Sequence, residues 1–491
     1  MTNHIIHTAN GRLAPDTPFS AVKQMVDDAV DSGNLVLHFH GGLVSQAKGR
    51  AIAERLTPEY QRAGAFPIFS VWESGALETI RNNLGSIAAE AFFRILLKRV
   101  SSMVRRKLEQ GVGARAAGVI PALDLSAEEA ALDRALDSGD PARLPAEPVP
   151  DAALTPLSDA EMMVLEAELQ ADPELQIAAQ GVSAGLRDPT DVVADAAART
   201  GAPVRAATGT LMDPAAVDAL LDRPDPTARG LFSAAKLAKA LVLVAARVIR
   251  RYLHKRDHGF HATVVEEILR AFYLANVGGT IWAQMKGDTQ NSFGPDPERF
   301  GGTAVLSLLG ERVRNGARPR VTLVGHSTGA VYIAHLLKVA ETLLPAELKL
   351  NIVLLAPAST FALTAESFTH NRARIQGLRI FTMSDPNERK DRLVPVLYPH
   401  SLLYFVSGVV EPDADTPLIG MQRYYDAARY PGDRFPAVES FRHLTADVPH
   451  SLVWSVAAGG AGLETAALKH GDFDDEPTTL ASLRHLIQKG F

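Results

Sequence analysis

The 491-residue chain has no cysteine, which removes disulfides, thiolate metal sites and a cysteine nucleophile together. A chain without disulfides fits a reducing compartment. It also lacks a long uncharged apolar run. Its most apolar long stretch, 231–253, is interrupted by Lys236, Lys239, Arg247, Arg250 and Arg251, so it does not read as a membrane span. The opening Met1-Thr2-Asn3-His4-Ile5-Ile6 shows no basic start leading into an apolar core, so no secretory signal is read there. The expected location is the cytoplasm. An excess of positive charge is missing too: a net charge of −6 gives no ground for a nucleic-acid partner.

What is present is a serine in a demanding setting. Arg320-Val321-Thr322-Leu323-Val324 is a β-branched run that leads directly into Gly325-His326-Ser327-Thr328-Gly329. Apolar residues at helical spacing follow, from Ala330 to Ala340. Strand, Gly-x-Ser-x-Gly and helix in that order make a nucleophile elbow, with Ser327 at the tip and Gly325 and Gly329 allowing the helix to pack close to the strand. The same pentapeptide pattern occurs at Gly181-Val182-Ser183-Ala184-Gly185. No strand-like run precedes that copy and Pro189 soon follows it, so Ser183 is set aside.

Around the elbow the pattern is α/β. A helix is expected over 18–32, a buried strand over 34–39, a helix over 46–63 and a strand over 66–73. Strands are expected again at 320–324, 350–356 and 378–383, with another near 436–445. Between the two blocks the spacing predicts helices at 86–110, 213–222, 231–255, 259–286 and 299–315. Residues 121–180 are alanine-rich and acidic, with Arg134 and Arg143 as their only basic residues and several prolines, and read in part as a flexible linker. The organisation expected is an α/β core of residues 1–85 and 301–491, split by a mainly helical insertion of residues 86–300.

A serine needs a base, an orienting acid and oxyanion donors. After an elbow the expected order is Ser, then Asp or Glu, then His. Asp385, in Ser384-Asp385-Pro386 just past the second strand after the elbow, is the first choice of acid; Asp447 is second and Asp391 third. His470, in a glycine-bearing loop before the last helix, is the expected base, ahead of His443, His450 and His485. Thr328 is the expected donor of one oxyanion N–H. The other is expected from His40-Gly41-Gly42-Leu43, from Gly42 first and Leu43 next, with His40 and Gly41 supporting the loop.

The His40-Gly41-Gly42-Leu43 loop, the elbow, Ser384-Asp385-Pro386 and His470-Gly471-Asp472-Phe473-Asp474 together resemble the α/β-hydrolase superfamily over about 34–75 and 318–490. Its esterases and lipases often carry a third glycine where this chain has Leu43. The resemblance implies an α/β-hydrolase fold, a mostly parallel central sheet flanked by helices, with the insertion as a cap over Ser327. It also implies a serine esterase or lipase that forms an acyl-enzyme, and no metal or organic cofactor.

The insertion is expected to set specificity, with Trp282 and Met285 as candidate substrate contacts beside Phe92, Phe93, Phe260 and Tyr273, and Glu73 at the end of its strand. The expected partner is a small-molecule or lipid ester. Basic amphipathic stretches at 86–110 and 231–255 raise a lipase or phospholipase in peripheral contact with a membrane. A hydrolase-like scaffold that only binds a partner is the alternative from another class.

Overall fold

A computed structural model describes residues 4–42, 45–72, 76–109, 126–185, 211–221 and 233–491. Its centre is an eight-stranded sheet in the order β2-β1-β4-β3-β5-β6-β7-β8. The strands are β1 Ile5–Ala9, β2 Arg12–Leu13, β3 Asn34–Phe39, β4 Phe66–Trp72, β5 Arg320–His326, β6 Leu350–Leu355, β7 Ile375–Met383 and β8 Leu452–Ser455. Every pairing is parallel except β1 with β2. Helices flank the sheet, so this is an α/β architecture.

The strands read as continuous apolar runs because both faces are covered. Leu35, Leu37, Val321, Leu323, Ile352 and Leu354 pack on one face, and Val36, Val324, Val353 and Leu355 on the other. The second face is closed by helices Gln46–Arg62 and Pro477–Lys489, through Leu56, Tyr60, Leu483 and Ile487. The first face continues without a break into the helical insertion, where Leu96, Leu165, Val244 and Ile268 belong to the same apolar cluster.

The order of the strands decides where a ligand can sit. From β3 the chain passes to β4 on one side, then returns to β5 on the other. Connections that leave in opposite directions open a crevice at the carboxyl ends of the two strands. Phe39 of β3 is in register with Gly325 of β5, so His40–Gly42 and His326–Thr328 leave the sheet side by side.

Several expected elements differ in detail. The segment near 436–445 is a helix, Pro436–Ala446, not a strand: Pro436 stands at its first position, and Val438, Phe441 and Leu444 recur at helical spacing. The last parallel strand is instead the short β8. The helix expected over 86–110 begins earlier and is broken at Glu90, into Ala76–Ala89 and Ala91–Leu108. That over 259–286 divides into Phe260–Phe272 and Gly279–Asn291, where Gly278 takes a φ of 101°.

The acidic stretch is helical at Ser126–Ser138, Asp159–Ala171 and Pro173–Gly185. Its carboxylates meet the basic helix Ala91–Leu108: Asp133 pairs with Lys98, Glu129 and Asp172 with Arg99, Glu168 with Arg106 and Glu161 with Lys107. The positive face of that helix is therefore matched within the chain. Among the described residues no helix is long and apolar enough to cross a membrane. Ser183 lies in the last helical turns of Pro173–Gly185, with no strand before it.

Candidate active site

Ser327 sits at the tip of the turn between β5 and helix Gly329–Leu343, with a left-handed φ of 52° that few non-glycine residues adopt. Its own backbone holds the turn. The N–H donates to Leu355 O at 2.8 Å, and the carbonyl accepts from Ala330 and Ala358. The flanking glycines are required by space. A Cβ on Gly329 would collide with the Phe39 carbonyl of β3, and one on Gly325 would run into Ile333 and Gly329.

His470 lies 143 residues further along the chain, and its Nε2 stands 2.9 Å from Ser327 Oγ. Both side chains are buried. Burial first, then the neighbouring His326, pushes the His470 imidazole down to about 3, so the ring is neutral at pH 7. A neutral ring in hydrogen-bond reach of a hydroxyl is the arrangement a general base requires.

The loop is held at both ends of the His470 peptide unit. Its N–H donates to Asp391 Oδ2 at 2.8 Å. Its carbonyl accepts from His326 Nε2 at 3.0 Å, and the two rings stack at 5.4 Å. His326 Nδ1 faces Asp474 Oδ2 at 3.6 Å. Burial alone would lower His326, but the Asp474 carboxylate outweighs it and raises this histidine above its ordinary range. Asp474 in turn is brought down to about 2 against its burial, by His326, Arg55 and His38.

Asp385, the first choice of acid, is not brought into contact with His470. Asp385 does follow β7, but its carboxylate accepts from the Tyr404 hydroxyl and from Arg389 Nε, not from His470. Arg389 is one helical turn away, so this local pair forms readily. Asp447 is exposed at the end of helix Pro436–Ala446. His470 Nδ1 is buried and has no hydrogen-bond partner among the described residues. Asp391, the third choice, is the carboxylate that contacts this residue. Burial, with Asp472 nearby, raises its pKa, while the hydrogen bond from His470 pulls the other way.

On the other side of the crevice, His40 supports the glycine loop as expected. Its Nδ1 donates to Gly41 O at 2.6 Å, which leaves Nε2 to accept the Trp72 N–H at 3.2 Å. Burial lowers His40 to about 4, so this neutral tautomer persists. The ring stacks on Trp72 at 4.2 Å, and Trp72 on Tyr332 at 5.4 Å. Neither Trp72 nor Tyr332 stands out in the sequence, because their contacts join separate elements.

Gly42 and Thr328 are brought together: a Cβ on Gly42 would run into Thr328 Oγ1 and Met285 Sδ. The Thr328 N–H makes no hydrogen bond among the described residues and remains available. Met285 thus borders the site. Trp282 does not; its indole donates to Glu411 at 2.7 Å in the packed interior. Leu43 and Glu73 lie outside the described residues.

Ser327 and His470 open onto a cavity of about 340 Å³, which Gly41, Arg81, Asp391, Leu393, Leu402, Lys469 and Asp472 also line. A larger recess of about 600 Å³ lies at the opposite ends of the strands, but no histidine lines it. No family model, curated protein or solved structure matches the chain.

Proposed function

We propose that this chain is a serine hydrolase of the α/β-hydrolase type that cleaves carboxylic esters through an acyl-enzyme. The observation that carries this reading is the 2.9 Å contact between His470 Nε2 and Ser327 Oγ, made at a left-handed elbow in the crevice between β3 and β5. The strand positions agree with it, since Ser327 follows β5 and His470 comes after β8, the last strand of the sheet.

In this mechanism His470 removes the Ser327 proton as the oxygen attacks the acyl carbon. The Thr328 and Gly42 N–H groups receive the oxyanion. His470 then gives its proton to the leaving alcohol, and a water activated by the same ring releases the acid. The imidazolium formed midway calls for a carboxylate nearby, and Asp391, which already holds the His470 main-chain N–H, is the candidate for that role. An ester is preferred over an amide by analogy with the superfamily.

The test is turnover of 4-nitrophenyl acetate and butyrate. Wild type is expected to hydrolyse them, and Ser327→Ala and His470→Ala to lose activity by a factor on the order of 10⁴ or more. Variants that keep wild-type turnover would sink the proposal.

A further inference from the structure

The cavity wall narrows the substrate further. Among the described residues its only aliphatic side chains are Leu393 and Leu402; the rest of the lining is polar, charged or glycine. A long acyl chain needs a continuous apolar lining. The aromatic residues of the insertion do not provide one here, because Phe92, Phe93, Phe260 and Tyr273 are buried in its interior.

The charged groups in the wall divide into used and unused. Asp391 accepts the His470 N–H, and Asp472 Oδ2 accepts the N–H groups of Leu468 and Lys469. The cations lie farther off and act on Asp391 only through space. Among the described residues neither the Arg81 guanidinium nor the Lys469 ammonium has a hydrogen-bond or ion-pair partner. Glu78, three residues before Arg81, makes its direct ion pair with Lys48 and feels Arg81 only through space. Exposed cations need no partner, but these two line the same small cavity as the nucleophile. Arg81 is also close enough to disfavour a proton on His470.

We infer that Ser327 acts on a small ester that carries a carboxylate or phosphate group, held by Arg81 and Lys469 at the wall of its cavity. This rests on the serine-hydrolase reading. Guanidinium binds either anion through paired N–H donors, and the ammonium adds a point charge. The arrangement supplies N–H donors without direct partners among the described residues, while Asp391 and Asp472 accept main-chain N–H groups.

The experiment compares 4-nitrophenyl hemiglutarate with its neutral methyl-capped counterpart, which differs by one charge. Wild type is expected to favour the anionic ester in kcat/KM by on the order of tenfold, through KM, with the preference shrinking as salt rises. Arg81→Gln with Lys469→Gln should remove the preference. Lys338→Gln, whose lysine pairs with Glu366 away from this wall, should retain it. Inhibition by free glutarate against inorganic phosphate distinguishes the two anions. Equal kcat/KM for both esters in wild type, or a preference that survives in the double variant, overturns the inference. If a fluorophosphonate labels Ser327 while charge makes no difference, this inference alone falls. If the protein is neither labelled nor active, the hydrolase reading falls with it.

Discussion

Ser327 holds a backbone conformation that costs about 1–3 kcal/mol and is kept there by three main-chain hydrogen bonds around the turn. Its identity was legible because the signal is local, five residues between a strand and a helix. The histidine that meets its side chain was legible too, from its place in a loop before the last helix. The acid was not. Asp385 satisfied the order of residues along the chain, yet its carboxylate is occupied by Tyr404 and Arg389. Asp391 reaches His470 across 79 residues of sequence, with nothing in Lys390-Asp391-Arg392 to announce it. On this account Asp391→Asn lowers kcat for an aryl ester by on the order of 10⁴, while Asp385→Asn stays near wild type. Steady-state kinetics of the two variants decides, and the reverse ranking would return the role to Asp385.

At the scale of elements, the sheet was readable where strands are covered on both faces, as in β3, β5 and β6, because burial demands unbroken apolar runs. It was misread where length or period is ambiguous. Helix Pro436–Ala446 carries Val438 and Phe441 that also suit a strand, and β8 has only four residues, Leu452–Ser455. The aromatic stack of His40, Trp72 and Tyr332 had no local signature, since each ring comes from a different element. The elbow makes a sharp prediction at this scale. In Gly329→Ala the new methyl meets the Phe39 carbonyl, so the helix must shift away from β3. Overpacking of this kind costs about 1–3 kcal/mol and displaces the oxyanion donors. Urea unfolding and ester turnover should both report the change. Wild-type stability with wild-type turnover would show that the close approach is not needed.

Across the whole molecule, one apolar cluster ties the sheet to the helices of residues 86–300, and the crevice that holds Ser327 lies where the strand order turns around β3. Buried neutral histidines surround that crevice. Burial brings His38 to about 3, His40 to about 4 and His470 to about 3, all below the ordinary value of 6.5. Between pH 6.5 and these values the unfolded chain binds protons that the folded chain refuses, so stability rises with pH through that window. His326, which is raised, opposes them. Thermal unfolding should therefore show Tm falling as pH drops from 7 to 5, with each lowered histidine contributing up to about 1.4 kcal/mol per pH unit. A Tm unchanged over that range would contradict the buried neutral set. Whether Ser327 is the nucleophile that His470 activates is decided by intact-protein and peptide mass spectrometry after fluorophosphonate treatment. One adduct is expected, on the peptide that contains Ser327, absent in Ser327→Ala and strongly slowed in His470→Ala. No adduct on wild type, or an adduct on another serine, would contradict it.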